Sequence, residues 1–432
     1  LAAQPKAWQE IAANDLAPAF WALVRSQLGY TDAEPSLRDL LVRVLVTDLC
    51  RSLDGAPPRQ LAHFVLPDRA LAANASVFAA RWRSDLAFFS SYNMLARPVA
   101  QELNLAQLLT SYTAEQLTEC MAFEEVELRV VQDLKQRIVA GAGANMDVVH
   151  GLIARRRDGH WANPLLASAS ERTRALAACY DALTAAADFF SLKASHAAGF
   201  SFADAATAFG QYREYLYRFD QLYRHFHTAA DAVEPSGWAV LHELRTSIEN
   251  VYSGWFVPQL GAAWAKVVEG DQGLLQRWAI PDVTPQQAFY EREVQPLYSG
   301  GAKRVFVVIS DALRYEVAQE LVQFTNGKNR FKASLDAMLG VLPSYTALGM
   351  AALLPHRTLA YKESANLDVL ADGHLVATLE QRNEHLRSVG GMAIKAEDLM
   401  ALGKEKGREL VRDRQLIYIY HDRIDMTGDK QA

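Results

Sequence analysis

Acidic side chains follow two apolar segments in the last third of the sequence. Asp311 comes directly after the run VFVVIS, and Asp425 and Asp429 follow a second run, LIYIY, after His421 and Asp422. Crowded carboxylates repel one another unless a cation or a proton neutralises them. Oxygen ligands four residues apart can bind one divalent metal ion. The spacing indicates a candidate metal site, and a solvated acidic loop is the alternative.

Asp311 has two interpretations of its own. With Ser310 it opens a predicted helix, where short polar side chains commonly cap free N–H groups, and taken alone it is better interpreted as a cap. It also follows a predicted strand, and ligands of open α/β sheets bind beyond the carboxyl ends of the strands. That position gives Asp311 a functional alternative.

Two hydroxyl groups lie between the acidic segments. Ser344 and Thr346, in LPSYTALGMAALLP, precede a predicted helix of small residues from Ala347 to Leu354. A hydroxyl at a helix N-terminus can cap the helix or help to hold a phosphate. If a metal ion also contacts the hydroxyl, its proton is lost more readily and it becomes a usable nucleophile.

Three segments in order resemble one known family. VFVVISDALRYE, LPSYTALGMAALLP and YIYHDRIDMTGD look like the PglZ domain of the alkaline phosphatase superfamily, in the type found in BREX bacteriophage-exclusion systems. The resemblance is close from about residue 286 to 432 and looser over the preceding part. It implies an α/β alkaline-phosphatase-like domain, incomplete in this chain, after a large, mostly α-helical region.

The resemblance implies a role for each matching residue. Asp311 matches the first metal-ligand aspartate, and Thr346 matches the nucleophile, which also contacts metal, with Ser344 as the fallback. Asp425 matches the aspartate of the second metal motif, and Asp429 stands where relatives usually place histidine. The implied cofactor is a divalent metal, zinc first, with manganese or magnesium as alternatives.

The superfamily site also needs a later Asp-His pair and a further histidine, which would lie beyond residue 432. We therefore expect a site that is incomplete in this chain, and we interpret both termini, LAAQPKAWQE and MTGDKQA, as cuts in a longer protein. His421, His356 and His374 match no ligand position and are interpreted as structural histidines.

The function implied by the resemblance is metal-dependent phosphoryl transfer in antiviral defence. The domain would be a phosphohydrolase, either a phosphodiesterase or a nuclease, with a threonine nucleophile. Implied partners are other BREX-type proteins, including a DNA methyltransferase, and nucleic acid is a further candidate. The alternative is an inactive or catalytically weak scaffold that assembles defence subunits, because a fold does not guarantee activity.

The secondary structure predicted around the candidate site residues changes in character at about residue 285. Residues 1–285 show helical periodicity and are predicted as one or two helical subdomains, and residues 286–432 as the first half of the PglZ-like domain. Ser36 and Asp39 predict a helix start, and a second helix is predicted from Thr113 to Gly141 or Gly143. VFVVIS and LIYIY predict buried strands of a parallel sheet covered on both faces.

Two basic or aromatic segments of the helical region invite a nucleic-acid hypothesis. Aromatic residues from Tyr212 to Phe226 recur at three- and four-residue steps beside arginines, but a buried stripe of one helix gives the same pattern and is preferred. For Arg155, Arg156 and Arg157 we prefer a solvated loop over a phosphate clamp.

The composition limits which other classes of function are plausible. A net charge of −6 over 432 residues provides no global positive field for nucleic acid, so a DNA-binding module is the weakest hypothesis. Three separated cysteines and the absence of about 18 consecutive apolar residues predict a soluble, cytoplasmic protein that does not contact a membrane.

Overall fold

The computed structural model describes residues 5–141, 145–166, 169–271, 273–363 and 367–431. It contains two compact units: Leu1–Gly199 with Phe219–Pro258, and Phe200–Arg218 with Gln259–Ala432. The domain boundary at about residue 285 stays a prediction. Gly143, one of the two expected helix ends, lies outside the described residues.

The described residues before Pro285 form helices and no strands, as the periodicity predicts. The α-helices are α1 (Pro5–Ala13), α2 (Ala17–Leu28), α3 (Leu37–Ser52), α4 (Arg69–Ser84), α5 (Phe89–Glu102), α6 (Leu105–Leu108), α7 (Glu125–Ala140), α8 (Met146–Arg157), α9 (Glu171–Ser195), α10 (Ala205–Gln211), α11 (Tyr217–Val233), α12 (His242–Val251), α13 (Val257–Gly270) and α14 (Leu274–Arg277). Short 3-10 segments lie at Arg59–Phe64 and Glu234–Ser236, and π-helical segments at Tyr212–Leu216 and Tyr252–Phe256.

Helix α3 follows its sequence signals closely. The Ser36 side chain accepts a hydrogen bond from the backbone N–H of Asp39, which satisfies one free donor of the first turn. Leu41, Val44 and Leu45 recur at helical spacing and are buried. The prediction of this helix is confirmed.

The helix expected to begin at Thr113 begins twelve residues later, at Glu125. Residues 110–119 form turns, because Gln116 Oε1 accepts from the Thr113 N–H at 3.0 Å and Asp133 Oδ2 accepts from the Ala114 N–H at 3.1 Å. The predicted start was therefore wrong. The end was right: Gly141, with φ 61°, caps α7.

The aromatic stripe is confirmed as a buried helix face where the first unit contains it. Phe219 and Phe226 are fully buried. The ring of Tyr223 stacks on Tyr252 with centroids 3.9 Å apart, and its hydroxyl donates to Glu249. These rings therefore pack against other residues of the first unit.

The arginine triplet does not form a solvated loop. It ends α8, and each member forms an ion pair: Arg155 with Glu119, Arg156 with Glu127, and Arg157 with Asp181. The Arg156 side chain is fully buried, and it also donates to the carbonyl oxygens of Leu117, Thr118 and Cys120. The loop interpretation was wrong because a buried carboxylate and three carbonyl groups compensate this charge.

Helix α9 alone among the described helices is long and apolar enough to cross a membrane by length and composition. However, 67% of its most apolar 18-residue window is buried inside the fold. Leu176, Cys179 and Leu183 along it have no exposed surface. This environment is that of a core helix.

The second unit combines helices with two small sheets. Beyond α10, α13 and α14 it contains α15 (Gln295–Ser299), β1 (Val305–Ser310), α16 (Tyr315–Asn326), α17 (Thr346–Ala352), β2 (Leu359–Tyr361), β3 (Val369–Ala371), β4 (His374–Leu375), α18 (Leu379–Arg387), β5 (Gly391–Lys395), α19 (Ala396–Ala401), α20 (Gly403–Leu410), β6 (Leu416–His421) and α21 (Arg423–Gln431). A 3-10 segment at Gln286–Ala288 and a π-helical segment at Tyr290–Val294 precede α15.

The two strands predicted from VFVVIS and LIYIY are neighbours in one parallel sheet. Its order is β1-β6-β5, and the pairing of β1 with β6 runs in register from Val305↔Leu416 to Ser310↔His421. Strands β2, β3 and β4 form a separate antiparallel sheet. The parallel pairing is confirmed, and it brings the carboxyl ends of β1 and β6 side by side.

Only one face of β1 is covered by the described residues. Val305 and Val307 point into the core and are 7% exposed each, whereas Phe306 and Val308 are 50% and 61% exposed. The expectation of a sheet covered on both faces was therefore wrong for β1. Because β1 has apolar residues on both faces, its sequence indicates a packing layer on each face. The described part of the chain supplies one of these two layers.

Candidate active site

The site begins where β1 and β6 end. The backbone N–H of Asp311 donates to the carbonyl oxygen of His421 at 2.9 Å, which extends the strand pairing by one step. Ser310 Oγ and His421 Nδ1 lie 3.0 Å apart. The sequence places a carboxylate immediately after one strand, and the parallel register places the end of the other strand beside it.

Asp311 does not cap the following helix. Its Oδ1 accepts a hydrogen bond from the N–H of Ala312 at 3.0 Å, and Ala312 has a positive φ of 59°. The next helix, α16, begins only at Tyr315, with Arg314 in the cap position. The cap interpretation was therefore wrong, and the second oxygen of Asp311 has no described hydrogen-bond donor within the chain.

The acidic segment after β6 is a helix and not a loop. Asp425 lies in the first turn of α21, and Asp429 follows one turn later, so both project from the same side. Partial burial raises the pKa of Asp425. Repulsion by nearby carboxylates raises it further, from Asp311, Asp429 and Asp422 in that order. Asp425 therefore lies within electrostatic reach of the other two predicted aspartates, Asp311 and Asp429.

Thr346 is the first residue of α17, and its side chain is exposed. Tyr345 occupies the cap position and makes no side-chain capping hydrogen bond, and neither Ser344 nor Thr346 caps this helix. Leu348 and Ala352 anchor α17 in the core of the second unit, and the Tyr418 hydroxyl donates to the Leu353 carbonyl oxygen at 2.7 Å.

Gln286 holds the segment that carries Thr346. Its Nε2 donates to the Gly349 carbonyl oxygen, and its Oε1 accepts from the Val341 N–H, both at 3.1 Å. Its own backbone N–H donates to the Leu339 carbonyl oxygen at 2.9 Å. No periodicity or motif distinguishes Gln286 in the sequence, and only the fold identifies it.

The predicted residues are only partly assembled. Among the described residues, no hydrogen bond joins Thr346 to Asp311, Asp425 or Asp429. The described part of the chain also contains no group of three or more His, Cys, Asp or Glu side chains already arranged to hold a metal ion. Even so, crowded carboxylate oxygens are the ligands that hard and borderline divalent cations prefer, so the donor set fits such an ion.

The three histidines near this region have other surroundings. His421 Nδ1 faces Ser310, and His356 Nδ1 lies 2.7 Å from the Leu354 carbonyl oxygen. His374 begins β4 and pairs with Ala371 in the antiparallel sheet. Their assignment as structural histidines stays a prediction.

Comparison with known families defines the class of this site. Residues 289–432 match the family described as BREX system PglZ alkaline phosphatase-like domain. The match contains β1, β6, Thr346 and the four aspartates of the candidate site, Asp311, Asp422, Asp425 and Asp429. This part of the chain therefore belongs to the PglZ family of alkaline phosphatase-like domains.

Two curated relatives extend the similarity to nearly the whole chain. The sequence is 36% identical over 418 residues, 96% of this chain, to the alkaline phosphatase-like protein BrxZ of Escherichia coli O9:H4 (strain HS). It is 28% identical over 431 residues, 99% of this chain, to the alkaline phosphatase-like protein PglZ of Bacillus cereus (strain H3081.97). The alignments cover 47% and 48% of those proteins, so the chain spans about half their length. No solved structure matches.

Proposed function

We propose that this chain contributes the helical region and the first half of the catalytic domain of a metal-dependent phosphohydrolase in a BREX-type bacteriophage defence system. The substrate would be a phosphodiester, with nucleic acid as the leading candidate, and the location cytoplasmic. The observation that carries the proposal is the electrostatic proximity of Asp311 and Asp429 to Asp425, beyond the ends of adjacent parallel strands and within the segment that matches the PglZ family.

Each candidate residue has a defined task in this proposal. Asp311, Asp425 and Asp429 would hold one or two divalent ions, zinc first and manganese or magnesium as alternatives. When bound, the metal supplies Lewis acidity, which favours ionisation of a nearby hydroxyl group and stabilises charge on a phosphate. Thr346, with Ser344 as the fallback, would also contact metal.

The chain's own residues would divide the reaction into two steps. Thr346 Oγ1 loses its proton and forms a bond to phosphorus while the bond from phosphorus to the leaving alcohol oxygen breaks. Water then attacks the phosphorus of the threonine ester, and the threonine oxygen leaves and recovers a proton. Gln286 would keep α17 in place, and the strand pairing would fix Asp311 beside the end of β6.

The partners in this proposal are other BREX-type proteins, including a DNA methyltransferase. A second candidate function is a phosphatase-like scaffold that assembles such subunits without efficient turnover. One observation favours it: the described residues contain no preassembled group of three metal-binding side chains. The two candidates differ in whether metal-dependent turnover can be measured.

The test measures hydrolysis of bis(p-nitrophenyl) phosphate and of plasmid DNA by the intact protein, with and without zinc, manganese or magnesium. We expect metal-dependent turnover that falls on the order of 10³-fold or more in Thr346→Ala, because the nucleophile is lost. Asp311→Ala should lose both turnover and the bound metal, which elemental analysis would quantify.

Matched controls are Thr246→Ala, at an exposed position of α12 in the first unit, and Asp413→Ala, at an exposed position before the amino end of β6, opposite the strand end that carries the candidate site. Both should retain wild-type turnover. Absence of turnover by folded, metal-loaded protein would reject the hydrolase for these substrates and favour the scaffold. Equal turnover in wild type and Thr346→Ala would reject Thr346 as the nucleophile.

A further inference from the structure

A cavity of about 430 Å³ lies within the second unit and borders the segment that carries Thr346. Leu342 and Leu348, on either side of Thr346 in the chain, both line it. Five residues between positions 356 and 361, at the start of the small antiparallel sheet, form another wall. Cavities of about 300–1,000 Å³ are typical of small-molecule sites, so this one has room for a ligand.

Two aromatic side chains line the cavity, and the fold holds both in place. Trp278 follows α14 with a positive φ of 35°, and its Nε1 donates to the Gly340 carbonyl oxygen at 2.6 Å. Tyr361 is the last residue of β2, pairs with Val369 in β3 and is 44% exposed. Nucleobases stack on aromatic rings of this kind, and a preformed surface loses little affinity to ordering.

The charged side chain that lines the cavity is a cation. Arg357 is exposed, and its guanidinium group forms no ion pair or hydrogen bond among the described residues. None of the lining residues is acidic. The nearby carboxylate of Asp372 does not line the cavity, and it accepts from the N–H groups of Arg357 and Thr358, both at 2.9 Å. Because a guanidinium group binds phosphate through two parallel hydrogen bonds, Arg357 makes the cavity complementary to a phosphate.

Gln287 adds a neutral polar group to the rim. It lines the cavity, is exposed, and its side-chain amide makes none of the described hydrogen bonds. An amide both donates and accepts, which suits the mixed donors and acceptors on the edge of a nucleobase. Val341 and Leu348 are 9% and 7% exposed and form an apolar floor. An apolar floor with a few polar groups at its rim is typical of ligand sites.

We propose that this cavity binds one nucleotide. The base would lie against Trp278 and Tyr361 with its edge at the Gln287 amide, and the phosphate would bind Arg357. Free nucleoside monophosphates and the nucleotides of a single-stranded nucleic acid share this chemistry, because both present an unpaired base beside a phosphate. The proposal does not depend on the phosphohydrolase function, since none of these residues is a candidate metal ligand or nucleophile.

Isothermal titration calorimetry of the intact protein with AMP, GMP, CMP and UMP tests the proposal, with EDTA present to prevent metal-dependent hydrolysis. We expect saturable binding of at least one of them. Tyr361→Leu keeps an apolar side chain but removes the ring, and it should weaken this binding about fivefold or more. Arg357→Gln should weaken it about tenfold or more and leave the affinity for the matching nucleoside unchanged, because a nucleoside has no phosphate.

Matched controls are Arg387→Gln and Phe331→Leu, which change exposed side chains of the second unit that do not line this cavity. Both should bind nucleotides as the wild type does. A short single-stranded oligonucleotide distinguishes the two sources. Displacement of the mononucleotide, weakened by both Tyr361→Leu and Arg357→Gln, would assign the site to nucleic acid, whereas binding of mononucleotides without displacement would assign it to free nucleotides.

Three results would overturn the proposal. The first is no saturable binding of any of the four nucleotides. The second is nucleotide binding that neither Tyr361→Leu nor Arg357→Gln weakens, because the nucleotide would then bind elsewhere. The third is equal affinity for inorganic phosphate, because the cavity would then recognise an anion without its base. Both substitutions are at exposed positions and should leave the unfolding temperature unchanged, so a loss of binding would not reflect a loss of folding.

Discussion

The buried ion pair of Arg156 and Glu127 is the strongest single-residue feature of the helical unit. Both side chains are fully buried, and Glu127 also accepts from the Tyr180 hydroxyl. Arg156→Met should leave the Glu127 carboxylate buried without a counter-charge and lower the free energy of unfolding by about 3–5 kcal/mol. Urea-induced unfolding followed by circular dichroism would measure the change.

The neighbouring Arg155 provides the control for that experiment. It pairs with Glu119, and both side chains are more than half exposed. Arg155→Met should change the free energy of unfolding by less than about 1 kcal/mol, because solvent screens an exposed pair. Equal effects of the two substitutions would show that burial does not determine how much these two ion pairs contribute to stability.

His160 should make the helical unit sensitive to mild acid. Burial, with the positive charge of Arg83 nearby, lowers the pKa of His160 to about 4 from an unfolded value near 6.5. Between these values the unfolded chain binds the extra proton, so stability falls as the pH drops through this window. The loss by pH 5 is about 2 kcal/mol for this residue.

Urea unfolding at pH 7.5 and pH 5 measures this effect. His160→Gln, which keeps a polar group opposite Asn93, should lose about 2 kcal/mol less than wild type between the two pH values. His63→Gln, at an exposed position, should follow the wild type. An identical pH dependence of wild type and His160→Gln would rule out this origin of the acid sensitivity.

Single residues were the hardest part of this fold to predict. A carboxylate after an apolar strand is visible in sequence, and Asp311 was identified that way. The burial of Arg156 was not, because its partner Glu127 is 29 residues away and only the packing of helices brings them together. Gln286 was missed for the same reason, since its contacts lie 55 and 63 residues further along.

Elements were predicted well where one local signal dominated. The runs that form β1 and β6 are apolar and β-branched or aromatic, and α3 begins at a capping serine, so their positions follow from short stretches. The predicted start of α7 was wrong because the side chains of Gln116 and Asp133 accept hydrogen bonds from backbone N–H groups of the preceding segment and hold it in turns. Ligand roles for Asp311, Thr346, Asp425 and Asp429 stay predictions.

At the level of elements, Gln286 should control the order of α17. Gln286→Ala removes two hydrogen bonds to the segment that carries Thr346 and leaves partners without donors or acceptors, at a cost of about 1–3 kcal/mol. We expect faster hydrogen exchange in residues 339–349, measured by mass spectrometry, with little change in the strands. If the chain hydrolyses phosphodiesters, the turnover number should fall while metal content is kept.

Gln287→Ala is the control for that prediction, because Gln287 is the exposed neighbour and makes none of the described side-chain hydrogen bonds. It should exchange at the wild-type rate. Unchanged exchange in Gln286→Ala would mean that core packing of Leu348 and Ala352 alone orders α17.

On the scale of the whole molecule, the two units resemble known proteins through different comparisons. The second unit contains the segment that matches the PglZ family, whereas the first unit is recognised only through curated relatives of about twice this length. Fold class was therefore predictable for the α/β part from motifs, and for the helical part only as a helical region. How many helices pack together, and where, depended on contacts between distant residues.

The open face of β1 should govern how the 432-residue chain behaves in solution. Within the described part of the chain β1 is an edge strand of its sheet, and Phe306 and Val308 on it are half or more exposed, which makes it a site for intermolecular pairing. Val308→Lys should reduce concentration-dependent association, seen by light scattering, while changing the free energy of unfolding by less than about 0.5 kcal/mol. Val307→Lys, on the buried face of the same strand, should instead prevent stable folding, because it places an unpaired charge in the core. Undiminished association in Val308→Lys would show that another surface drives it, and a large loss of stability would show that this face is covered.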